Sequence, residues 1–508
     1  MIFQVIEQKR KKLQFAAVPV LPAFPGKKTA ISRRDFKKYS FPGLIFSEST
    51  VILPASMIFT TKYRRFFMSE KESGGGDFRY AVGESKVPWH AVGEFYNGKD
   101  AVEMVKFLLP DDGKSGYQEQ LERTANEIKA LADVGGKATK LTLGKKVQEA
   151  EEISKKYFGA KYACFLDNWT GGMEIGYKLA GLGPGDEVIM PAVTFIATMA
   201  YPLNIGAKIV FADIDPETIN LDPADVERKI TPKTKMIVPV HLGGYPVDMD
   251  PIMELAKKHN LIVMEDAAHG MGGAYKGKKL GAIGHFGGFS LHEVKNITSL
   301  GEGGLLLTSE DFAGPQLPGA RFLGLDFSRK IKDWLYDISP LIDRFGKPQV
   351  ALNHSATEIQ ALGMLLQMQR MDDIIAIRRK AAEYMNSVLS QEEGILVEKA
   401  DTPETYGTHH LYLLRIDPEI VGGNIQQLSK KLAEKGLTNI THFGPMYRFK
   451  IMKDLGYDEN AIAATCPVTE KMFYQSYTHL PLYPLTREQL EYQAQAVVEA
   501  VREMKQGK

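Results

Sequence analysis

Three short stretches hold residues that could do covalent chemistry together. The first is Leu261-Ile262-Val263-Met264-Glu265-Asp266, an apolar run that ends in two carboxylates. In an open parallel sheet, ligands sit beyond the carboxyl ends of the strands, so a carboxylate there faces the crevice. Capping the next helix is the plainer role for such a residue. The second is Phe289-Ser290-Leu291-His292-Glu293-Val294-Lys295-Asn296. Apolar strands flank it, at 287–291 and 305–308, with Gly301-Glu302-Gly303-Gly304 between. A lysine on such a connection at a sheet edge can be partly desolvated, which lowers its pKa and frees the amine for Schiff-base chemistry. Taken alone, Lys295 is one lysine among many, and a solvated surface position would explain it. The third is Asn168-Trp169-Thr170-Gly171-Gly172-Met173, which follows a strand and opens a helix. Small residues at a helix N-terminus expose backbone N–H groups and the positive dipole end to a phosphate. They also open ordinary helices, and the spacing is not that of a P-loop.

One ligand needs all three. A phosphate takes the helix N-terminus, a pyridinium nitrogen takes the carboxylate, and an aldehyde takes the lysine. Pyridoxal 5'-phosphate is held in this way, by a lysine Schiff base and an acidic partner to the ring nitrogen. A nicotinamide enzyme would need a Gly-x-Gly-x-x-Gly turn after the first strand. None is found there.

The elements that must position these residues follow from apolar periodicity. Short apolar runs at 163–166, 187–190, 208–211, 236–240 and 261–264 alternate with helical stretches. Runs of this length separated by helices predict a mostly parallel sheet covered on both faces, an α/β doubly wound architecture. Helices are predicted upstream at 100–109 and 117–132, the latter stopped by Gly135-Gly136, and Gly159 suits the C-terminal end of a third. A long helical region is expected over 356–390. The remainder mixes a strand at 410–415 with helices at 425–435 and 487–505, and reads as a smaller α+β domain.

Composition sets the outer limits. The chain has 508 residues, 44% of them hydrophobic and 25% charged, enough to bury a large core in two or three domains. Net charge is +1, so no global field draws the protein to nucleic acid or membrane. The nearest approach to a membrane span, 41–59, is broken by Pro42, Glu48 and Pro54. Two cysteines, Cys164 and Cys466, exclude a disulfide scaffold and a thiolate metal site, and free thiols in a reducing cytoplasm are expected. Residues 1–67 stand apart, with 13 basic and 3 acidic residues against 50 and 59 in the remainder. Such a segment suits a targeting sequence, a basic arm or a stretch upstream of a start at Met68. We take the last as the expectation and treat 1–75, up to the Gly74-Gly75-Gly76 joint, as a poorly ordered leader that need not be native.

From about residue 143 to 502 the chain resembles the DegT/DnrJ/EryC1/StrS aminotransferases, fold-type-I enzymes that aminate keto-sugars and cyclitols. The resemblance rests on residues 183–191, Thr194-Phe195-Ile196-Ala197-Thr198, 211–216 and Pro239-Val240-His241-Leu242-Gly243-Gly244. It continues through Glu265-Asp266-Ala267-Ala268-His269-Gly270 and 289–304. It implies a pyridoxal-phosphate site in which Lys295 bonds the cofactor and Asp266 meets the ring nitrogen. It further implies that Phe195 stacks on the ring, His269 lies beside it, and Thr170, Gly171 and Ser290 touch the phosphate. Asn353 matches an asparagine supplied across a homodimer. On residue type alone, Phe195 would be core packing and His269 a satisfied structural histidine. His241 stays open between a pocket wall and a buried structural role. Two positions depart from the family's pattern. Trp169 stands where a glycine is usual, which puts the phosphate loop in question, and Ser355 stands where an arginine is common.

The resemblance implies a large cofactor-binding domain over 143–375, a small domain over 376–508 and an N-terminal helical extension over 76–142. The implied reaction moves an amino group from glutamate or glutamine to a nucleotide-linked keto-sugar or a cyclitol ketone. A catalytically silent, cofactor-binding regulator is the second reading. A dehydratase is disfavoured, because those relatives carry histidine where Lys295 stands.

Overall fold

The computed structural model describes residues 94–136, 140–326, 338–439 and 443–507. The leader at 1–75 and its glycine joint lie outside the described residues.

Seven strands form the main sheet: β1 (Tyr162–Leu166), β2 (Glu187–Pro191), β3 (Lys208–Ala212), β4 (Thr234–Ile237), β5 (Ile262–Asp266), β6 (Phe286–Ser290) and β7 (Gly304–Thr308). Their order is β1-β7-β6-β5-β4-β2-β3. From β3 to β6 all neighbours run parallel, while β7 lies antiparallel between β6 and β1. The strands read as continuous apolar runs because both faces are covered. On β2, Val188 and Met190 enter one core cluster while Ile189 enters the other. On β5, Met264 and Val263 divide in the same way. β4 is shorter than its apolar run, and beyond it Val240 makes only a single parallel bridge to Asp266.

Two helices precede the sheet, α1 (Gly98–Leu108) and α2 (Tyr117–Val134), followed by α3 (Lys145–Phe158), which ends at Gly159 with φ 70°. α3 has no cap of its own. The Glu358 carboxylate instead accepts the N–H groups of Gly144, Lys146 and Val147 at 2.8–3.2 Å, satisfying donors that a helix start leaves orphaned. α4 (Trp169–Leu179) follows β1 directly.

The helical region expected over 356–390 consists of two helices, α5 (Glu358–Met368) and α6 (Met371–Leu389). The break falls at Gln369-Arg370, polar residues that an apolar period does not register. α6 then packs on a second, antiparallel sheet of order β8 (Ile395–Leu396), β9 (Tyr412–Ile416), β10 (Tyr477–Leu480). With α7 (Ile425–Glu434) and α8 (Arg487–Gln506) it encloses a separate core around Leu389, Tyr412, Leu414, Leu428 and Val497. Both cysteines are free and buried. No helix among the described residues is long and apolar enough to cross a membrane.

Candidate active site

β5 ends in Glu265 and Asp266, and strand alternation sends the two carboxylates to opposite faces. Glu265 is buried among backbone donors. It accepts the N–H groups of Gly281, Ile283 and Gly284 at 2.6–2.9 Å and pairs with His241 Nε2 at 3.0 Å. His241 Nδ1 accepts from Val247 N at 3.0 Å. His241 is therefore structural and holds no place on the cavity wall.

Asp266 faces a cavity of about 1,070 Å³. Its Oδ1 accepts from Trp169 Nε1 at 3.0 Å and Ala268 N at 3.2 Å, and its Oδ2 from Thr198 Oγ1 at 2.8 Å. Three donors thus fix the plane of the carboxylate. The tryptophan that breaks the family pattern is one of them. Its ring is buried rather than projecting into the loop, in a slot that glycines leave open. A Cβ on Gly172 would lie 2.6 Å from Trp169 Cε3, and one on Gly288 would collide with the same ring. Asn168 still caps α4 beside this ring, accepting from Gly171 N at 2.8 Å.

Lys295 lies on the connection between β6 and β7, half-buried on the same cavity wall. Burial lowers its pKa, and the nearby charge of Asp266 opposes that shift. Its amine has no hydrogen-bond partner among the described residues. Phe195 stands open to the cavity, 59% exposed, edge-to-face with Phe443 at 6.2 Å. The His269 ring stacks on His410 with centroids 4.3 Å apart, and its Nδ1 is buried without a partner. Burial first, then the positive charge of Lys295, holds His269 well below the ordinary imidazole pKa, so the ring is neutral. Ser290 and Thr170 line the wall at the end of β6 and the start of α4.

Two expected residues are not on this wall. Gly171 is buried beneath the His354 ring, which a Cβ there would strike, and its N–H is already held by Asn168. Asn353 is exposed and lies outside the cavity of its own chain, with Oδ1 accepting from Ser355 Oγ at 2.7 Å. Sequence reasoning missed Thr198, Arg378, His410 and Tyr483, all but Thr198 on the cavity wall. Thr198 was within reach, since it closes a family-like stretch. Nothing local marks the other three.

The donor set fits pyridoxal phosphate. An unpartnered, pKa-lowered amine and a braced carboxylate share one cavity with an open aromatic ring and an orphaned imidazole nitrogen. This arrangement suits amine transfer at a bound aldehyde.

Comparison with known proteins points the same way. Residues 122–502 match the model of the DegT/DnrJ/EryC1/StrS aminotransferase family, starting within α2 and upstream of the resemblance at 143. GDP-perosamine synthase of Caulobacter vibrioides is 36% identical over 329 residues, covering 64% of this chain and 84% of that protein. Spore coat polysaccharide biosynthesis protein SpsC of Bacillus subtilis is 33% identical over 381 residues, covering 72% and 91%. Among solved structures, an aminotransferase from Psychrobacter cryohalolentis superposes with a TM-score of 0.65 at 26% identity, covering 76% of this chain and 97% of that one. The chain belongs to the DegT/DnrJ/EryC1/StrS aminotransferase family and is a pyridoxal-phosphate-dependent aminotransferase of fold type I.

Proposed function

We propose that the enzyme takes an amino group from glutamate or glutamine and delivers it to the ketone carbon of a nucleotide-linked keto-sugar, with a cyclitol ketone as the alternative acceptor. The convergence of an unpartnered, half-buried lysine and a triply hydrogen-bonded carboxylate on one cavity carries this reading. The relative named GDP-perosamine synthase, whose name places a GDP-linked sugar, supports the nucleotide-linked class.

Pyridoxal phosphate, when bound, supplies an aldehyde for the amino group and a ring that withdraws electrons from the reacting carbon. Asp266 would meet the ring nitrogen, Phe195 and His269 would flank the ring, and Thr170 and Ser290 would hold the phosphate, without the expected help of Gly171. Lys295 Nζ would bond the cofactor at rest and, once displaced, take and return the proton at the substrate's reacting carbon. Burial lowers its pKa against the opposing charge of Asp266, which favours the neutral amine that can accept a proton. Neutral His269 places no competing charge beside it.

Two copies would share each site, with Asn353 reaching the partner's cofactor. The main sheet would define a large domain over 143–375 and the second sheet a small domain over 376–508, with the cavity walled by both. Two buried free thiols favour residence in a reducing cytoplasm.

An absorption spectrum of the purified protein before and after adding glutamate tests the reading. A visible band of bound cofactor that fades with glutamate, and that is missing in Lys295→Ala, is expected. A band that ignores both glutamate and glutamine would overturn the donor assignment. An undiminished band and turnover in Lys295→Ala would remove that residue from its role.

A further inference from the structure

The start of α4 carries the wrong charge for its role. Asp167, Asn168, Trp169 and Thr170 line that end of the cavity, and the only formal charge among them is the Asp167 carboxylate. A helix N-terminus supplies about half a positive charge. A phosphate ester arriving there brings nearly two negative ones. A carboxylate at its side works against binding unless another group offsets it.

His354 is placed to do so. Asp167 N donates to the His354 carbonyl at 3.1 Å, His354 N donates to the Arg321 carbonyl at 2.8 Å, and Leu166 forms an antiparallel bridge with Ser355. These bonds lay the ring over the first turn of α4, in space that Gly171 leaves open, since a Cβ there would collide with Nδ1. The imidazole sits between two carboxylates, with Nδ1 3.6 Å from Asp167 Oδ1 and Nε2 3.5 Å from Glu174 Oε2. The side chain is 13% exposed. Neither its Nε2 nor Asp167 Oδ1 has a hydrogen-bond partner among the described residues, so charge is what ties them.

The other charges that face the ring are engaged elsewhere. Glu174 Oε1 is held by Lys178 Nζ, which also donates to the Val350 carbonyl at 2.9 Å. The Arg321 guanidinium is taken by the Glu151 carboxylate and the Phe165 carbonyl. Lys178 thus balances Glu174, and His354 is the cation that remains for Asp167. Burial opposes a charge on the ring, but Asp167 and Glu174 outweigh it and push the pKa up to about 9. The ring is therefore a cation at neutral pH and loses its charge as pH rises through that value.

We propose that His354 is a positioning residue for the cofactor's phosphate, its ring offsetting the Asp167 charge and bracing the first turn of α4 so that the donors there meet the ester oxyanion unopposed. The inference rests on the reading of this cavity as a pyridoxal-phosphate site with the phosphate beside Thr170 and Ser290.

Calorimetry on the full-length enzyme, freed of cofactor by dialysis, tests it with pyridoxine 5'-phosphate against pyridoxine. Neither probe has an aldehyde, so bonding to Lys295 is outside the measurement and the ratio of affinities isolates the phosphate. At neutral pH the wild type should prefer the phosphorylated probe. It should lose about tenfold of that preference once the ring has lost its proton, the scale of one nearby charge. The probe's phosphate does not titrate there, because its second pKa is about 6. His354→Gln should show the lowered ratio already at neutral pH. Asp167→Asn added to it should restore the wild-type ratio, since the charge to be offset is gone. A merely structural histidine would weaken both probes alike and would not be rescued by Asp167→Asn. If His354→Gln fails to fold, Asp167→Asn alone decides, because it should keep at alkaline pH the preference that the wild type loses. A wild-type ratio that ignores pH, an unchanged ratio in His354→Gln, or no rescue by Asp167→Asn overturns the proposal and leaves the cofactor site intact. A wild type that binds both probes equally at every pH removes the phosphate from α4 and sinks the placement together with the proposal.

Discussion

At the scale of single residues, the site depends on what holds Asp266 as much as on Asp266. Trp169 Nε1, Thr198 Oγ1 and Ala268 N leave the carboxylate little freedom to rotate. A carboxylate fixed in this way meets a ring nitrogen without reorganising when the ligand arrives, which is the advantage of a preorganised polar site. Trp169→Phe keeps the ring in its slot and deletes only the N–H. A hydrogen bond to a charged group is worth about 1.5–3 kcal/mol. The substitution should therefore weaken cofactor binding about tenfold or more, by titration of the dialysed enzyme, while the melting temperature changes little. Unchanged affinity would mean that Thr198 and Ala268 suffice and that Trp169 merely fills space. Asp266→Asn is the harsher change. It preserves shape and removes the charge, so some cofactor should remain bound while turnover falls by about 10²-fold or more, the usual effect of deleting a preorganised electrostatic partner. An unaltered rate would take Asp266 out of the ring-nitrogen role.

At the scale of elements, close approach rather than catalysis explains several of the glycines. Gly288 sits in the middle of β6, where any Cβ would meet the Leu305 carbonyl of β7 and the Trp169 ring. A strand carbonyl cannot step aside without breaking the ladder. Gly288→Ala should cost about 1–3 kcal/mol, the range for overpacking a filled interior. It should also loosen the cofactor, because the displaced ring takes its N–H away from Asp266. Thermal melting and cofactor titration should fall together; a stable variant with lowered affinity would show that the slot serves only the tryptophan. The same packing explains what could be read from sequence. Fully buried strands announce themselves as apolar runs, so β1, β2, β3 and β5 fall within a residue or two of their expected places. The lysine, the carboxylate and the opening of α4 follow because each sits at an element end that periodicity locates. The tryptophan's role did not follow, since its partner lies 97 positions away and its slot is left open by Gly172 on its own helix and Gly288 on the distant β6. His241 was ambiguous for the same reason: only the fold shows Glu265 on the far face of β5. Arg378 was invisible because a cation within a charged run on a helix reads as solvated, and only the second sheet packing against α6 buries it.

At the scale of the whole molecule, the cavity sits beside a surface that one chain leaves uncovered. Leu300, Leu352, Ile359, Leu362 and Leu366 are all at least 39% exposed, on segments that flank Lys295 and Asn353. Apolar side chains exposed on these segments would suit an interface, which a two-fold dimer would cover with the same residues of a second copy. If Asn353 serves the partner's site, then Lys295→Ala and Asn353→Ala damage different halves of one composite site. Each homodimer should be impaired in both of its sites. In a hybrid, one site would collect both substitutions and the other neither. Random reassortment puts about half of the dimers in the hybrid state with one intact site in two, so a refolded equal mixture should regain about a quarter of wild-type activity, given free exchange between two-fold partners. Activity equal to the mean of the two parent variants would mean that each chain builds its site alone. Asn353 would then owe its place in the loop to its bond with Ser355 and not to catalysis.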